Sequence, residues 1–286
     1  MNKTTSRALR DILKAPGCHH FPTCYDGLSA VMVKQAGFPL TFMSGAAVSA
    51  SRLGGPDTGL ITMSEMADQL RYICSAIPGM PVIGDGDTGN GNGMNVRRTV
   101  SEYARAGAAA VMIEDQVEPK RCGHFDGKMV VPRAEAKMRI RAAVEAAREY
   151  GVLIVARTDA RAVDGFSAAM DRCLDFVNEG ADIIFLEAPE SSDELRTFAR
   201  EIQVPTLANV VPGGKTPVLS RKELEDYGFK LAVYHPLLFA SMRAMQDALL
   251  QMRGESASFP LALSFEEMKR IVGLPEYEAQ STRYKV

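Results

Sequence analysis

Short apolar runs, each followed by a polar loop and then a stretch with helical spacing, recur eight times along the chain. The runs fall at 20–25, 39–43, 81–83, 109–113, 152–156, 182–186, 205–208 and 230–234. Most are nearly continuous in apolar residues, the pattern of strands buried on both faces. Between them, 28–36, 63–77, 96–106, 133–150, 168–179, 193–202 and 221–227 carry apolar residues at helical intervals. Thr62 with Glu65, Ser191 with Glu194 and Ser220 with Glu223 predict capping boxes at helix starts. Glycines after five of the helices predict left-handed stops.

Eight strand–helix units in about 250 residues predict a (β/α)8 TIM-type barrel, expected over 1–240. A doubly wound parallel sheet is the rival arrangement, and it usually has fewer strands. Two more helical stretches, 237–252 and 265–277, exceed what one barrel needs. A helical tail over 241–286 is therefore expected to pack on a partner subunit.

Composition narrows the class. The 286 residues are 46% hydrophobic and 24% charged, ordinary for a globular chain. Thirty-three basic against 35 acidic residues give a net charge of −2, which argues against a nucleic-acid partner. The start, MNKTTSRALRDILKAPG, scatters charge and holds no apolar stretch of signal-peptide length. No run approaches the ~20 apolar residues of a membrane span. Five cysteines without a CxxC pair argue against a disulfide scaffold or structural zinc. A cytoplasmic chain is expected, with Cys18, Cys24, Cys74 and Cys173 as packing residues.

In such a barrel the chemistry sits at the carboxyl ends of the strands. Those ends read Ser44-Gly45, Asp85 and Asp87, Glu114-Asp115, Arg157, Glu187, Asn209 and Tyr234-His235. Capping accounts for two or three of them, not for several carboxylates and an arginine at one mouth. Asp85, Asp87 and Glu114 are hard oxygen donors without soft ligands, which suits Mg²⁺, or Mn²⁺, better than zinc. The plain alternative is solvated loop acids. Gly84–Gly89 matches GxGxxG, but its two aspartates would repel a pyrophosphate. Lys120-Arg121-Cys122-Gly123-His124 sets a thiol among cations, which lowers a thiol pKa. Cys122 is then a proton donor or a nucleophile. A basic surface loop with an incidental cysteine is the bland reading.

These residues resemble the isocitrate lyase/phosphoenolpyruvate mutase superfamily. The resemblance rests on YDGLSA at 25–30, MSG at 43–45, LGGPD at 53–57, GDGDTG at 84–89, IEDQ at 113–116, KRCGH at 120–124, ARTDA at 156–160 and GGKTP at 213–217. It runs from about Leu9 to Phe265, and Phe125 departs mildly from the usual residue after the histidine. It implies a barrel whose last helix is swapped onto a partner, a homotetramer of two such dimers, Mg²⁺, and a small carboxylate substrate held on the metal. In the carbon–carbon lyase branch the cysteine of KRCGH is the general acid, so Cys122 takes that role.

The implied roles extend the residue reading. Asp85, Asp87 and Glu114 hold the metal. Arg157 clamps a carboxylate. Backbone N–H groups at Ser44, Gly45 and Ala46 take the other end of the pyruvyl unit, with Gly123 and Asn209 beside the substrate. His124 and Glu187 tune or relay the proton of Cys122. Tyr25, Asp57 and Lys120 lie in matching motifs and join the candidates. The expected reaction is a retro-aldol (Claisen-type) cleavage of a 2-hydroxy dicarboxylate. The 211–217 segment, VPGGKTP, is more similar to dimethylmalate lyase and the plant petal-death type than to 2-methylisocitrate lyases. Ser241 falls where the latter carry an arginine for a third carboxylate. A 2-alkylmalate or oxaloacetate is therefore expected. 2-Methylisocitrate cleavage, oxaloacetate decarboxylation, phosphonate chemistry and a silent binding barrel are the alternatives.

Overall fold

The computed structural model describes residues 2–121, 123, 127–211, 213–254 and 263–284. Eight strands form a closed ring in chain order: β1 (His19–Cys24), β2 (Thr41–Met43), β3 (Val82–Asp85), β4 (Ala110–Glu114), β5 (Leu153–Thr158), β6 (Ile183–Leu186), β7 (Thr206–Val210) and β8 (Leu231–Tyr234). Every pairing is parallel, and β8 closes on β1 with Leu231 opposite His19. The (β/α)8 expectation holds, with each strand within two residues of its apolar run. No helix among the described residues is long and apolar enough to cross a membrane.

The strands read as continuous apolar runs because both faces are covered. Phe21, Phe42, Ile83, Met112, Val155, Phe185, Leu207 and Val233 belong to a cluster inside the ring. The alternate residues, among them Cys24, Met43, Val82, Val111, Ile154, Ile184 and Ala208, pack outward. They meet an outer layer of helices: α2 (Gly27–Gln35), α4 (Met63–Ala76), α5 (Gly93–Ala106), α6 (Arg133–Tyr150), α8 (Phe166–Asn178), α9 (Ser192–Glu201) and α10 (Arg221–Tyr227).

Three helices lie outside the sequence expectation: α1 (Asn2–Lys14), α3 (Gly45–Leu53) and the single turn α7 (Arg161–Asp164). Helix α1 is mostly polar, yet it seals the amino end of the barrel. Leu9 is fully buried in the interior cluster, Ile12 and Leu13 pack against it, and the Ser6 hydroxyl donates to the Ala109 carbonyl at 3.2 Å. The capping boxes at Thr62 and Ser220 form as expected. At Ser191 only half forms, because the Glu194 carboxylate turns to Arg161 and to the Glu190 N–H.

The tail is α11 (Pro236–Arg253), α12 (Phe265–Ile271) and α13 (Leu274–Ser281). The single stretch expected at 265–277 is split at Gly273, which is left-handed (φ 74°). No residue of α11 is buried within the chain, and Phe239, Met242, Met245, Leu249, Leu250 and Met252 are exposed along it.

Because Leu9 fills the barrel floor, Leu9→Ala should lower unfolding stability by about 2–5 kcal/mol through lost burial and a cavity. Urea denaturation measures it. A change within 0.5 kcal/mol, the usual range for surface substitutions, would show that α1 does not carry the floor.

Candidate active site

The pleat decides which side chains form the site. Side chains alternate across a strand, so the residue two beyond an inward apolar residue points inward as well. Phe21, Phe42, Ile83, Met112, Val155, Phe185, Leu207 and Val233 face inward. The next inward positions are Thr23, Ser44, Asp85, Glu114, Arg157, Glu187, Asn209 and His235. A polar layer thus rests directly on an apolar floor. All of it but Glu114 lines a cavity of about 130 Å³ together with Ala46, Asp57, Gly123, Val211, Leu238 and Phe239.

Asp85 ends β3 and is buried. Its Oδ2 accepts from the Gly45 N–H at 2.9 Å and its Oδ1 from the Asp87 N–H at 3.2 Å. Asp87 is left-handed (φ 50°), a conformation a non-glycine residue adopts at a cost. That turn brings two aspartates two residues apart to one place. Lys120 is buried with them, its ammonium 2.8 Å from Asp87 and 2.5 Å from Asp57. Burial pushes Asp87 up to about 7, with Lys120 pulling against it and Asp85 adding to the rise. Glu114 is driven well above the usual carboxylate range by burial, which Arg157 only partly offsets. The Glu114 Oε1 is buried and has no hydrogen-bond partner among the described residues.

This oxygen-only set with an orphaned buried carboxylate oxygen fits a hard divalent cation, whose charge would offset the cost of burying the acids. Among the described residues no three His, Cys, Asp or Glu side chains converge closely enough to hold an ion directly. The fit is therefore to an ion that keeps part of its water shell, as Mg²⁺ does.

Arg157 stands at the centre of the buried charges. Its Nε and Nη2 bond both oxygens of Asp159 at 2.9 and 3.0 Å. Its Nη2 is 3.2 Å from Glu187, its Nε is 3.4 Å from Glu114, and its guanidinium lies over the Phe185 ring. The Asn209 amide nitrogen approaches both oxygens of Glu187 at 3.3 Å. A carboxylate only accepts, so the Asn209 Oδ1 must face the other way, and it meets the His235 Nε2 at 2.7 Å. His235 Nε2 is therefore the donor in that pair. Its Nδ1 lies 3.5 Å from the Thr23 hydroxyl. The chain Thr23–His235–Asn209–Glu187–Arg157 runs round half the mouth.

Other expected residues fall differently. The Ser44 N–H donates to the Cys24 carbonyl and the Gly45 N–H to Asp85, so two of the three expected backbone donors are already engaged. Ala46 lines the cavity. Tyr25 does not line it: its hydroxyl bonds the Ser241 hydroxyl at 3.0 Å. Asp87 and Lys120 line a neighbouring cavity of about 530 Å³. Cys122 and His124 lie outside the described residues. Gly123 is described and buried. The four other cysteines are buried and free, and burial pushes Cys18 up to about 11 and Cys24 and Cys74 up to about 12. They are packing thiols.

Sequence reading gave no role to Lys128, Asp159 or Tyr103. The Tyr103 hydroxyl donates to the Asp85 carbonyl at 2.7 Å and fixes the end of β3. Asp115 accepts from Thr158, from the Asp159 N–H and from Arg172, tying β4 to β5 beneath the site. Burial and the charge of Asp159 push Asp115 up to about 6. Asp159 itself is held at about 2, because Arg157 and Lys128 outweigh its burial.

Known proteins share this architecture. A family model described as phosphoenolpyruvate phosphomutase matches residues 9–253. Chloroplastic carboxyvinyl-carboxyphosphonate phosphorylmutase of Arabidopsis thaliana is 40% identical over 281 residues, 96% of this chain and 83% of its own length. The 2,3-dimethylmalate lyase of Eubacterium barkeri is 37% identical over 284 residues, 98% of each chain. The fold matches oxaloacetate acetylhydrolase in complex with 3,3-difluorooxalacetate at a TM-score of 0.94 and 32% identity, covering 98% of this chain and 97% of that one. It matches phosphonopyruvate hydrolase in complex with oxalate and Mg²⁺ at a TM-score of 0.86 and 27% identity, covering 98% and 99%.

A Cβ on Gly123 would lie 2.6 Å from both the Arg157 Nη2 and the Glu187 Oε2. Both are ends of side chains, so the site must yield while the fold need not. Gly123→Ala should leave the melting temperature nearly unchanged while a crystal structure of the variant shows the ends of Arg157 and Glu187 pushed from 2.6 Å out to ordinary contact at 3.4–4 Å. Side-chain ends left in place, with the backbone displaced instead, would show that the fold and not the site yields.

Proposed function

The chain belongs to the phosphoenolpyruvate phosphomutase family and is a carbon–carbon lyase of the isocitrate lyase/phosphoenolpyruvate mutase superfamily; we propose that it cleaves a small 2-hydroxy dicarboxylate of the 2-alkylmalate type, or oxaloacetate, in a divalent-metal-dependent reaction. The observation that carries this reading is the inventory of the cavity. Among the described lining residues Arg157 is the one arginine or lysine, and Val211, Val233, Leu238 and Phe239 form an apolar wall. One guanidinium and one acid cluster suit a compact acid bearing an alkyl group. Ser241 bonds Tyr25 and the Leu238 carbonyl, so this position brings no cation for a third carboxylate.

Asp85, Asp87 and Glu114 would hold Mg²⁺ or Mn²⁺. When bound, the ion supplies Lewis-acid stabilisation of negative charge on the substrate oxygens. The chain's own residues do the rest. Arg157 binds the carboxylate of the pyruvyl unit. Glu187, held by Asn209 and His235, keeps that guanidinium in place. Phe42, Met112 and Phe185 floor the cavity and exclude water beneath the reacting carbons. Cys122, next in sequence to Gly123, donates the proton to the carboxylate fragment that leaves, and His124 tunes it. Family likeness to phosphonate enzymes keeps P–C chemistry as the second reading. Cys122 favours the lyase branch. The free, buried cysteines agree with the expected cytoplasmic setting.

The same reading extends to assembly. We propose a homotetramer of domain-swapped dimers, with the barrel over 1–240 and the tail over 241–286. The exposed apolar face of α11 supports it. So does an apolar groove of about 420 Å³ beside β1 and β8, lined by His20, Phe21, Phe38, Tyr234 and Phe239. Such faces on a lone chain mark association surfaces.

Turnover of 2,3-dimethylmalate, other 2-alkylmalates, 2-methylisocitrate, isocitrate, oxaloacetate and phosphonopyruvate, read by the products released, decides the substrate. A 2-alkylmalate or oxaloacetate should give the highest kcat/KM. EDTA should abolish activity and Mg²⁺ restore it. Cys122→Ser should lower kcat at least ~100-fold, in line with loss of a general acid. Exclusive turnover of phosphonopyruvate would defeat the lyase reading, and full activity without metal the cofactor assignment. For assembly, light scattering should give roughly four times 31.1 kDa. A stable monomer at micromolar concentration would contradict the swap.

A further inference from the structure

Asp159 is fully buried and carries two cations. It takes the fork of Arg157, and its Oδ1 also accepts from the Lys128 ammonium at 2.8 Å. The side chain of Lys128 is 2% exposed. Lysine is almost never buried so deeply unless paired. The same ammonium donates to the Gly123 carbonyl. One buried charge therefore touches the partner of Arg157 and the backbone that packs on Arg157.

The electrostatics explain why a second cation is needed. An arginine locked two-pronged on one carboxylate is neutral as a pair and holds little attraction for an anion. Arg157 also lies 3.2 Å from Glu187 and 3.4 Å from Glu114, so Lys128 takes up part of the Asp159 charge that Arg157 would otherwise neutralise alone, in a site shielded from water, where charge acts strongly. The bidentate contact meanwhile fixes the plane of the guanidinium. We infer that Lys128 is a positioning residue for the substrate carboxylate. Through Asp159 it holds Arg157 in one plane and keeps it an anion receptor, and through the Gly123 carbonyl it sets the loop backbone against that receptor. The inference rests on the reading of Arg157 as the carboxylate clamp.

The test is titration of the Mg²⁺-loaded protein with oxalate, alongside Mn²⁺ affinity and melting temperature, for wild type, Lys128→Met, Asp159→Asn and the double variant. Lys128→Met should weaken oxalate at least ~10-fold, as expected when a buried charge partner is removed, and raise substrate KM in step. Mn²⁺ affinity should stay within ~2-fold, which a general loss of structure would not allow. The double variant should lose less than the product of the single losses, because the two residues act as a unit. If Lys128→Met does not fold, Lys128→Gln, which keeps a donor for the Gly123 carbonyl, takes its place with the same expected loss. Unchanged oxalate affinity in a folded variant, or losses that simply multiply, would overturn the inference and leave the lyase reading standing. A wild type that binds no oxalate would overturn the clamp and the inference together.

Discussion

A closed ring of eight parallel strands leaves each side chain only two directions, and everything in this molecule depends on that. Inward positions recur at every second residue, and neighbouring strands share a register such as Glu114 opposite Arg157 and Asn209 opposite Val233. The interior is consequently layered. Apolar residues fill the lower layers, and the last inward residue of each strand, or the one just beyond it, is polar. The polar layer has a dry floor and its members come from different strands. It is held in place by the same hydrogen bonds that hold the barrel.

That arrangement makes burial the dominant electrostatic fact. Glu114, Asp87 and Asp115 sit where ionisation is costly, and their proton affinities rise accordingly. The cations do not spread evenly among them. Lys120 serves Asp57 and Asp87, Arg172 serves Asp115, and Arg157 with Lys128 serves Asp159. Glu114 is left with an oxygen that no donor among the described residues reaches. The uneven distribution separates a structural set of acids from one that still calls for positive charge.

The barrel was legible because strands buried on both faces leave an uninterrupted apolar signature. Asp85, Asp87, Glu114 and Arg157 were legible as one strand-end set because they follow such runs closely. Helix α1 was not, since three apolar residues, Leu9, Ile12 and Leu13, carry its packing on an otherwise polar segment. Helix α3 was not, because Gly45, Ala46 and Ala47 read as a loop of small residues. The alternation of inward residues, applied to the sequence, selects Thr23 and His235 along with the acids. Asp159 keeps the inward parity two residues after Arg157 and stands in the ARTDA motif, but no sequence signal pairs it with Lys128. They are 31 positions apart, and only the fold brings them together. Tyr25 sits in a matching motif and shares the parity of Phe21 and Thr23, but it lies just past the end of β1, and its hydroxyl finds Ser241 instead.

Helix α1 closes one end of a barrel whose interior is already packed, so the cavity is a pit with no way out through its floor. Traffic in a pit is sequential. On the cleavage proposed here, the fragment anchored at the floor by Arg157 and the acid cluster cannot pass the fragment above it, and the outer carboxylate must depart first. The oxo acid then becomes the last species to leave and the first able to re-enter an empty site. Ordered product release, and inhibition by the oxo acid competitive with substrate, would follow from where eight strands end and one leucine plugs.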